Sequence, residues 1–261
     1  CGTNSARCLP VIPQMTGQAL DKAEFDLHAE VEQRHWWFTG RRRIMQRIVH
    51  ELSPPSQGNV VVDIGCGTGA NIGSLASAYR TIDVDASDYA IEHAKKTYPQ
   101  VEFHCTRDDA EVASVVAQAN VVTIMDVLEH VPDDYEMLSH LLSAAQPGTQ
   151  FLITVPANLE LWSKHDEVFG HYRRYDAERL RRVWEGLDVE CRLLSYFNAR
   201  LYPIVKMIRS RKRRREAECD DHESDLKIPL APLNAILRAV FAGESKRLLR
   251  ELRGKAPMPY R

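Results

Sequence analysis

The chain lacks the features of secreted, membrane-spanning and nucleic-acid-binding proteins. Its six cysteines, at positions 1, 8, 66, 105, 191 and 219, form no C-x-x-C pair, which excludes zinc spacing and argues against a disulfide framework. No apolar run approaches the length needed to cross a bilayer, and no charged-then-apolar leader pattern opens the chain. The formal net charge is only -2, so no global field draws the chain to nucleic acid or an anionic surface. No internal repeat is present. A soluble protein of the cytoplasm is expected. Its 261 residues suit one catalytic domain with additions.

What is present begins at Asn59-Val60-Val61-Val62-Asp63-Ile64-Gly65-Cys66-Gly67-Thr68-Gly69. β-Branched residues, an acid and three alternating glycines read as a strand entering a ligand-binding turn. Glycine is needed there because the backbone turns tightly and a ligand must approach the main chain. The spacing is G-x-G-x-G, whereas a dinucleotide turn usually reads G-x-G-x-x-G.

Further apolar runs near 80–84, 101–105, 120–125 and 149–155 alternate with helical segments near 69–78, 87–97, 109–118 and 133–145. This alternation predicts an α/β fold built on a doubly wound, mostly parallel sheet. Ser87 and Asp176 are expected helix N-caps. The second of these helices spans 176–186 and leads into a strand over 188–197.

Acids stand where successive strands end. Asp85, with Asp83 as competitor, closes the second; Arg107-Asp108-Asp109-Ala110-Glu111 follows the third; Asp126-Val127-Leu128-Glu129-His130-Val131 follows the fourth. With the glycine turn, these strings resemble the motifs of class I S-adenosylmethionine-dependent methyltransferases. The D-x-L-E-H-V string is similar to small-molecule members, including the O-methyltransferases of ubiquinone biosynthesis.

The resemblance implies a Rossmann-like core over 58–197 that binds S-adenosyl-L-methionine. It implies Asp63 at the methionine amino group, Asp85 and Ala86 at the ribose diol, and Asp109 and Ala110 at the adenine amine. Gly65, Cys66, Gly67 and Gly69 would open the backbone to the cofactor, and Asp126 would border it. Cys66 reads as a small residue in a crowded turn, since nothing there makes a thiol nucleophilic.

Three regions flank the core. Residues 1–14 read as a disordered extension before a credible start at Met15. Residues 15–57 read as a helical lid of two helices joined at Thr39-Gly40, the first ending in Arg34-His35-Trp36-Trp37-Phe38. This H-W-W-F-x-G-R-R string resembles a bacterial subset of the family, which implies a lid over cofactor and substrate with Trp37 at the substrate. A plain aromatic packing anchor is the alternative.

The loop 157–175 gathers His165, Asp166, His171, Tyr172, Arg173 and Arg174 beyond a strand end, where open α/β sheets bind ligands. His165, Tyr172, Arg173 and Arg174 are its candidate substrate contacts, the two arginines as a carboxylate or phosphate clamp. Alternatively, one arginine pairs with an acid of the core.

Residues 198–261 read as a charged linker followed by an amphipathic helical cap. The basic run Arg209 to Arg215 precedes an acidic one from Glu216 to Asp225, and an apolar stripe spans 228–252. The stripe suits the core or a second subunit, with peripheral membrane contact as a further reading. The related sequences continue into a final antiparallel strand. Here the chain stops at Pro257-Met258-Pro259-Tyr260-Arg261, so that strand is not expected.

The expected reaction is methyl transfer to a small or lipid-linked acceptor, with a hydroxyl oxygen as the first choice. That step needs a base, for which His130 is the first candidate and His171 the second. An RNA acceptor and a non-catalytic, cofactor-binding partner subunit are the alternatives. Asp126, Glu129 and His130, with His165 or His171, also resemble the E-x-x-E-H set by which small-RNA 2′-O-methyltransferases hold a divalent cation. Asp126 is shorter than the glutamate of that pattern, and no metal is assigned.

Overall fold

In the computed structural model, residues 22–216 and 227–255 are described. The expectations for residues 1–14, for the acidic stretch after Glu216 and for 257–261 lie outside them. The chain opens with helices α1 (Lys22–Arg34) and α2 (Trp36–Leu52). There follow β1 (Ser56–Ile64), α3 (Ala70–Gly73), β2 (Tyr79–Asp85), α4 (Asp88–Thr97), β3 (Glu102–Cys105) and α5 (Asp109–Val116). Then come β4 (Val121–Met125), α6 (Asp134–Ala144), β5 (Gln150–Thr154), α7 (Lys164–Val168) and α8 (Ala177–Arg182). The C-terminal helices are α9 (Tyr202–Glu216), α10 (Ala231–Ala242) and α11 (Ser245–Leu252).

The five strands form one parallel sheet in the order β3-β2-β1-β4-β5. Strand alternation divides β1 between two cores. Val60, Val62 and Ile64 face Val112, Val116, Leu138 and Leu141 of α5 and α6, whereas Val61 packs with Val49 of α2 and Ile72 of α3. Such burial on both faces explains why the strands read as unbroken apolar runs. The chain reverses its winding between β1 and β4, and this opens a crevice at their carboxyl ends.

Side-chain caps start the helices where the sequence placed them. Ser87 Oγ accepts from Ala90 N and Asp176 from Arg179 N; Asp108 and Asp133 likewise cap α5 and α6. The lid helices divide differently from expectation. The break falls at His35, whose ring nitrogen accepts from Trp37 N at the start of α2. Gly40 lies inside α2, where a Cβ would stand 2.8 Å from Phe241 Cδ1 of α10. Close helix packing, rather than a turn, accounts for that glycine.

Two other expectations fail. Residues 188–197 form no strand, and β5 is the sheet edge among the described residues. Side chains hold this segment instead of a ladder: Arg247 donates to Ser195 Oγ and Tyr196 O, and Glu244 accepts from Ala199 N and Arg200 N. The basic stretch expected as linker is the second half of α9. The apolar stripe of 228–252 lies on α10 and α11. Phe241, Leu248 and Leu252 pack there on Ile44, Met45 and Ile48 of α2.

Phe241 is fully buried against Gly40, Trp36, Trp37 and Phe197. Phe241→Ala should lower unfolding stability by about 3–5 kcal/mol, since the cavity cannot collapse against a rigid glycine contact. Urea unfolding followed by circular dichroism measures it, and a loss below about 1 kcal/mol would mean the cap adds little.

Candidate active site

The glycine turn joins β1 to α3 and borders a cavity of about 2600 Å³. Gly65, Gly67 and Gly69 all have positive φ, at 80°, 55° and 80°. Their surroundings differ. A Cβ at Gly65 would strike Val127 Cγ2 at 2.7 Å and one at Gly69 would strike Ala94 Cβ at 2.9 Å, whereas one at Gly67 would meet nothing within 4 Å. Gly67 therefore presents bare backbone to the cavity, and Gly69 serves helix packing behind it.

Asp85 completes this cradle. Its carboxylate accepts from Gly67 N at 3.2 Å and Ser87 N at 2.8 Å while it borders the cavity with Ala86. Burial raises its pKa above the usual carboxylate range, and those two N–H groups oppose the shift. Asp83 sits two residues deeper in β2, completely buried, and neither of its oxygens has a hydrogen-bond partner among the described residues. Depth along the strand thus separates the two acids: Asp85 borders the cavity and Asp83 does not.

Asp63 is paired in register with Asp83 on one side and Thr123 on the other. Thr123 Oγ1 donates to Asp63 Oδ1 at 2.5 Å. Burial pushes the Asp63 pKa up to about 7, against the hydrogen bond from Thr123 and the Arg41 charge. Burial and the neighbouring Asp63 raise Asp83 well above its usual range. Cys66 borders the cavity, but burial and the Asp83 and Asp85 charges push its thiol well up. It is a poor nucleophile, as expected.

The carboxyl end of β4 carries the second half of the site. Asp126 has φ 58°, unusual for a residue with a Cβ. Its Oδ2 lies 2.7 Å from Arg41 Nη1, and Arg41 Nη2 donates to Thr154 Oγ1 at 2.9 Å. Arg41 also lies over the Trp37 ring, with its guanidinium carbon 5.2 Å from the centroid. Trp37 itself borders the cavity. A second tie from the lid joins the glycine turn, where Thr68 Oγ1 donates to Glu32 Oε1 at 2.5 Å. Arg41 and Glu32 escape sequence reasoning because no local pattern distinguishes them from solvated helix charges; the R-R of the tryptophan string was the available signal.

A single 3-10 turn, Leu128–His130, follows β4. Glu129 is buried, its Oε2 has no hydrogen-bond partner among the described residues, and burial raises its pKa well above the usual range. The His130 ring meets the His171 ring edge-on, at 4.6 Å between centroids. His171 Nδ1 lies 2.9 Å from Asp166 Oδ1. One ligand atom each of Glu129, His130 and His171 fall within 4.8 Å of one another. Asp126, expected in such a set, is paired with Arg41 instead.

Asp166 organises the loop. Besides His171, it accepts from Arg174 Nε at 2.7 Å and Nη2 at 3.0 Å, and from Ser163 N at 2.8 Å. Burial opposes its ionisation, yet the bonds from His171 and Arg174 hold its pKa well below the usual range. The clamp reading of the arginines is therefore corrected. Arg174 is the bidentate partner of Asp166, and Arg173 binds Asp134 and the Pro132 carbonyl outside the cavity. Tyr172 is half exposed and does not border the cavity. His165 lies on α7, its side chain outside the described ones. Asp109 and Ala110 open α5 and do not border the cavity, nor does Asp63, which lies beneath the turn.

A methyltransferase-domain family model matches residues 37–200, and the chain belongs to that family. Its fold and motifs are those of the class I S-adenosylmethionine-dependent methyltransferases, a class whose cofactor is S-adenosyl-L-methionine. It is similar to a probable S-adenosylmethionine-dependent methyltransferase of Mycolicibacterium smegmatis, 27% identical over 161 residues, and spans 61% of that protein with 60% of its own length. It is also similar to the ubiquinone biosynthesis O-methyltransferase of Klebsiella pneumoniae, 30% identical over 156 residues, covering 55% of this chain and 64% of that one. Among solved structures, the plantazolicin methyltransferase BamL, in complex with a triazolic desmethylPZN analog and SAH, is 16% identical. The match covers 79% of this chain and 87% of that chain at a TM-score of 0.53, a likeness of fold.

The buried Asp63 yields a pH prediction. Its pKa is about 7 in the folded chain and about 4 in an unfolded one. Between those values the folded state keeps a proton that the unfolded state has lost, so stability falls as pH rises. Asp63→Asn should remove about 2–4 kcal/mol of the decline between about pH 4 and pH 7. Denaturant unfolding across that range reads the difference, and parallel curves for the two proteins would contradict it.

Proposed function

We propose that this chain transfers a methyl group from S-adenosylmethionine to a hydroxyl oxygen of a small or lipid-linked acceptor, with His171 as general base. One observation carries the reading: the Asp166–His171 pair abuts His130 and Glu129 in the cavity that the glycine turn also borders. The sulfonium cofactor supplies an already activated methyl, so the protein's task is alignment and proton removal. Gly67 offers open backbone to it, Asp85 suits the ribose diol, and Asp63 lies below as a polar floor.

Asp166 is ionised and accepts one His171 N–H, which leaves the opposite ring nitrogen as the base. Burial on Arg174 and Ser163 keeps that carboxylate from turning toward solvent. This support puts His171 ahead of His130, which flanks it edge-on. Trp37, with Arg41 on its face, walls the same cavity and suits an aromatic acceptor ring. The ubiquinone-pathway relatives agree with an oxygen acceptor of that kind.

A second reading follows from the closeness of Glu129, His130 and His171. Their mixed oxygen and nitrogen donors suit magnesium, manganese or zinc. A cation there would bind the acceptor oxygen and lower its pKa, in place of a histidine base.

Asp85→Ala should weaken cofactor binding by about 1–3 kcal/mol, because the ribose hydroxyls lose a charged acceptor. Titration calorimetry with S-adenosylhomocysteine measures this, and an unchanged affinity would remove Asp85 from the diol.

The acceptor is sought with methyl-labelled cofactor and a panel of phenols with and without prenyl tails, the product being a methyl ether. With that acceptor, His171→Ala should lower kcat by about 10²–10⁴-fold while calorimetric cofactor affinity holds. Full turnover in the variant would exclude His171 as base. Loss of turnover in the parent protein on chelation, with recovery on adding magnesium or manganese, would select the cation reading.

A further inference from the structure

The C-terminal helices display apolar side chains that the core does not use. Ile204, Met207 and Ile208 on α9, and Leu230, Leu233 and Ile236 at the start of α10, are between 45 and 82% exposed. Scattered exposed leucines are ordinary, but runs at helical spacing on consecutive helices are not. The other side of α10 already packs inward, through Leu237, Val240 and Phe241 on α2. This helix is thus apolar on a face that nothing described covers. Directly after Ile208, the sequence of α9 carries Arg209, Arg211, Lys212, Arg213, Arg214 and Arg215.

We propose that α9 and the start of α10 form a peripheral docking surface for an anionic phospholipid bilayer. Apolar side chains, followed in the sequence by a dense cationic run, suit the two layers of such a surface, acyl boundary and charged headgroups. The contact is interfacial, since no helix among the described residues is long and apolar enough to cross a membrane.

The surface is continuous with the cavity. Ile208 borders the cavity although it is 55% exposed, and Val205 and Pro229 border it too. The same cavity is lined by Trp37, His130 and His171. A lipid-linked acceptor enters the site along that path without leaving the membrane. This last clause rests on the proposed reaction; the docking itself does not.

The test is sedimentation of the full chain with vesicles of phosphatidylcholine alone or with about a third phosphatidylglycerol. Binding is expected to the mixed vesicles, several-fold weaker to the neutral ones, and weakened by added salt. Leu230→Glu with Leu233→Glu should lower the bound fraction about tenfold. Calorimetric affinity for S-adenosylhomocysteine should stay unchanged, since neither residue touches the cofactor cradle. In a separate variant, Leu230→Trp, indole emission should shift to the blue only with mixed vesicles, which reports insertion without disrupting the helix.

No binding to either vesicle, or equal binding by parent and double variant, overturns the proposal. So does a dimer in solution that leaves vesicles unbound. Failure here with cofactor affinity intact leaves the methyltransferase reading standing. Loss of cofactor binding in the parent protein would sink that reading instead.

Discussion

Arg41 is a buried cation set among acids, and the site is arranged around its charge. Its guanidinium reaches from the second helix of the lid to Asp126 and Thr154 at the ends of adjacent strands. The same charge lowers the pKa of Asp63, Glu129 and Glu32, each of which burial raises. A cation in this position costs desolvation that only close, hydrogen-bonded partners offset. Removing it would take from Asp126 its ion-pair partner and from Asp63 the one cation that lowers its pKa. Helix α2 is thus electrostatically part of the site.

The sheet interior shows how the remaining acids are tolerated. Asp83, Asp63 and Thr123 lie in register across three parallel strands, on one face of the sheet. Burial raises the pKa of both Asp63 and Asp83, which works against two adjacent buried charges. Asp85, two residues farther along, reaches the cavity and the N–H groups of the turn. Position along a strand separates a structural acid from one available to a ligand.

In the loop after β5, one ionised residue replaces a scaffold. Asp166 holds Arg174, His171 and the Ser163 backbone together, so an irregular segment gains the rigidity that regular elements have elsewhere. The backbone agrees with the side chains, since His171 N donates to Asp166 O and Tyr172 N donates to Glu129 O. These bonds bring the loop histidine against the histidine that follows β4.

Local pattern in the sequence determined the elements: the alternation of apolar runs, the capping serine and aspartates, and the glycine turn with its following acids. Those features act over a few residues, so they are legible in order along the chain. Gly40 was legible only as a break, because its neighbour Phe241 lies two hundred positions away. Residues 188–197 have strand-forming composition, but a strand exists only with a ladder partner, and Arg247 and Glu244 hold this segment otherwise. Arg41 and Glu32 read as ordinary surface charges until folding buries them beside partners far along the chain. Whether an arginine clamps a substrate or braces an aspartate depends on which carboxylate reaches it first in space, and that only the tertiary structure decided.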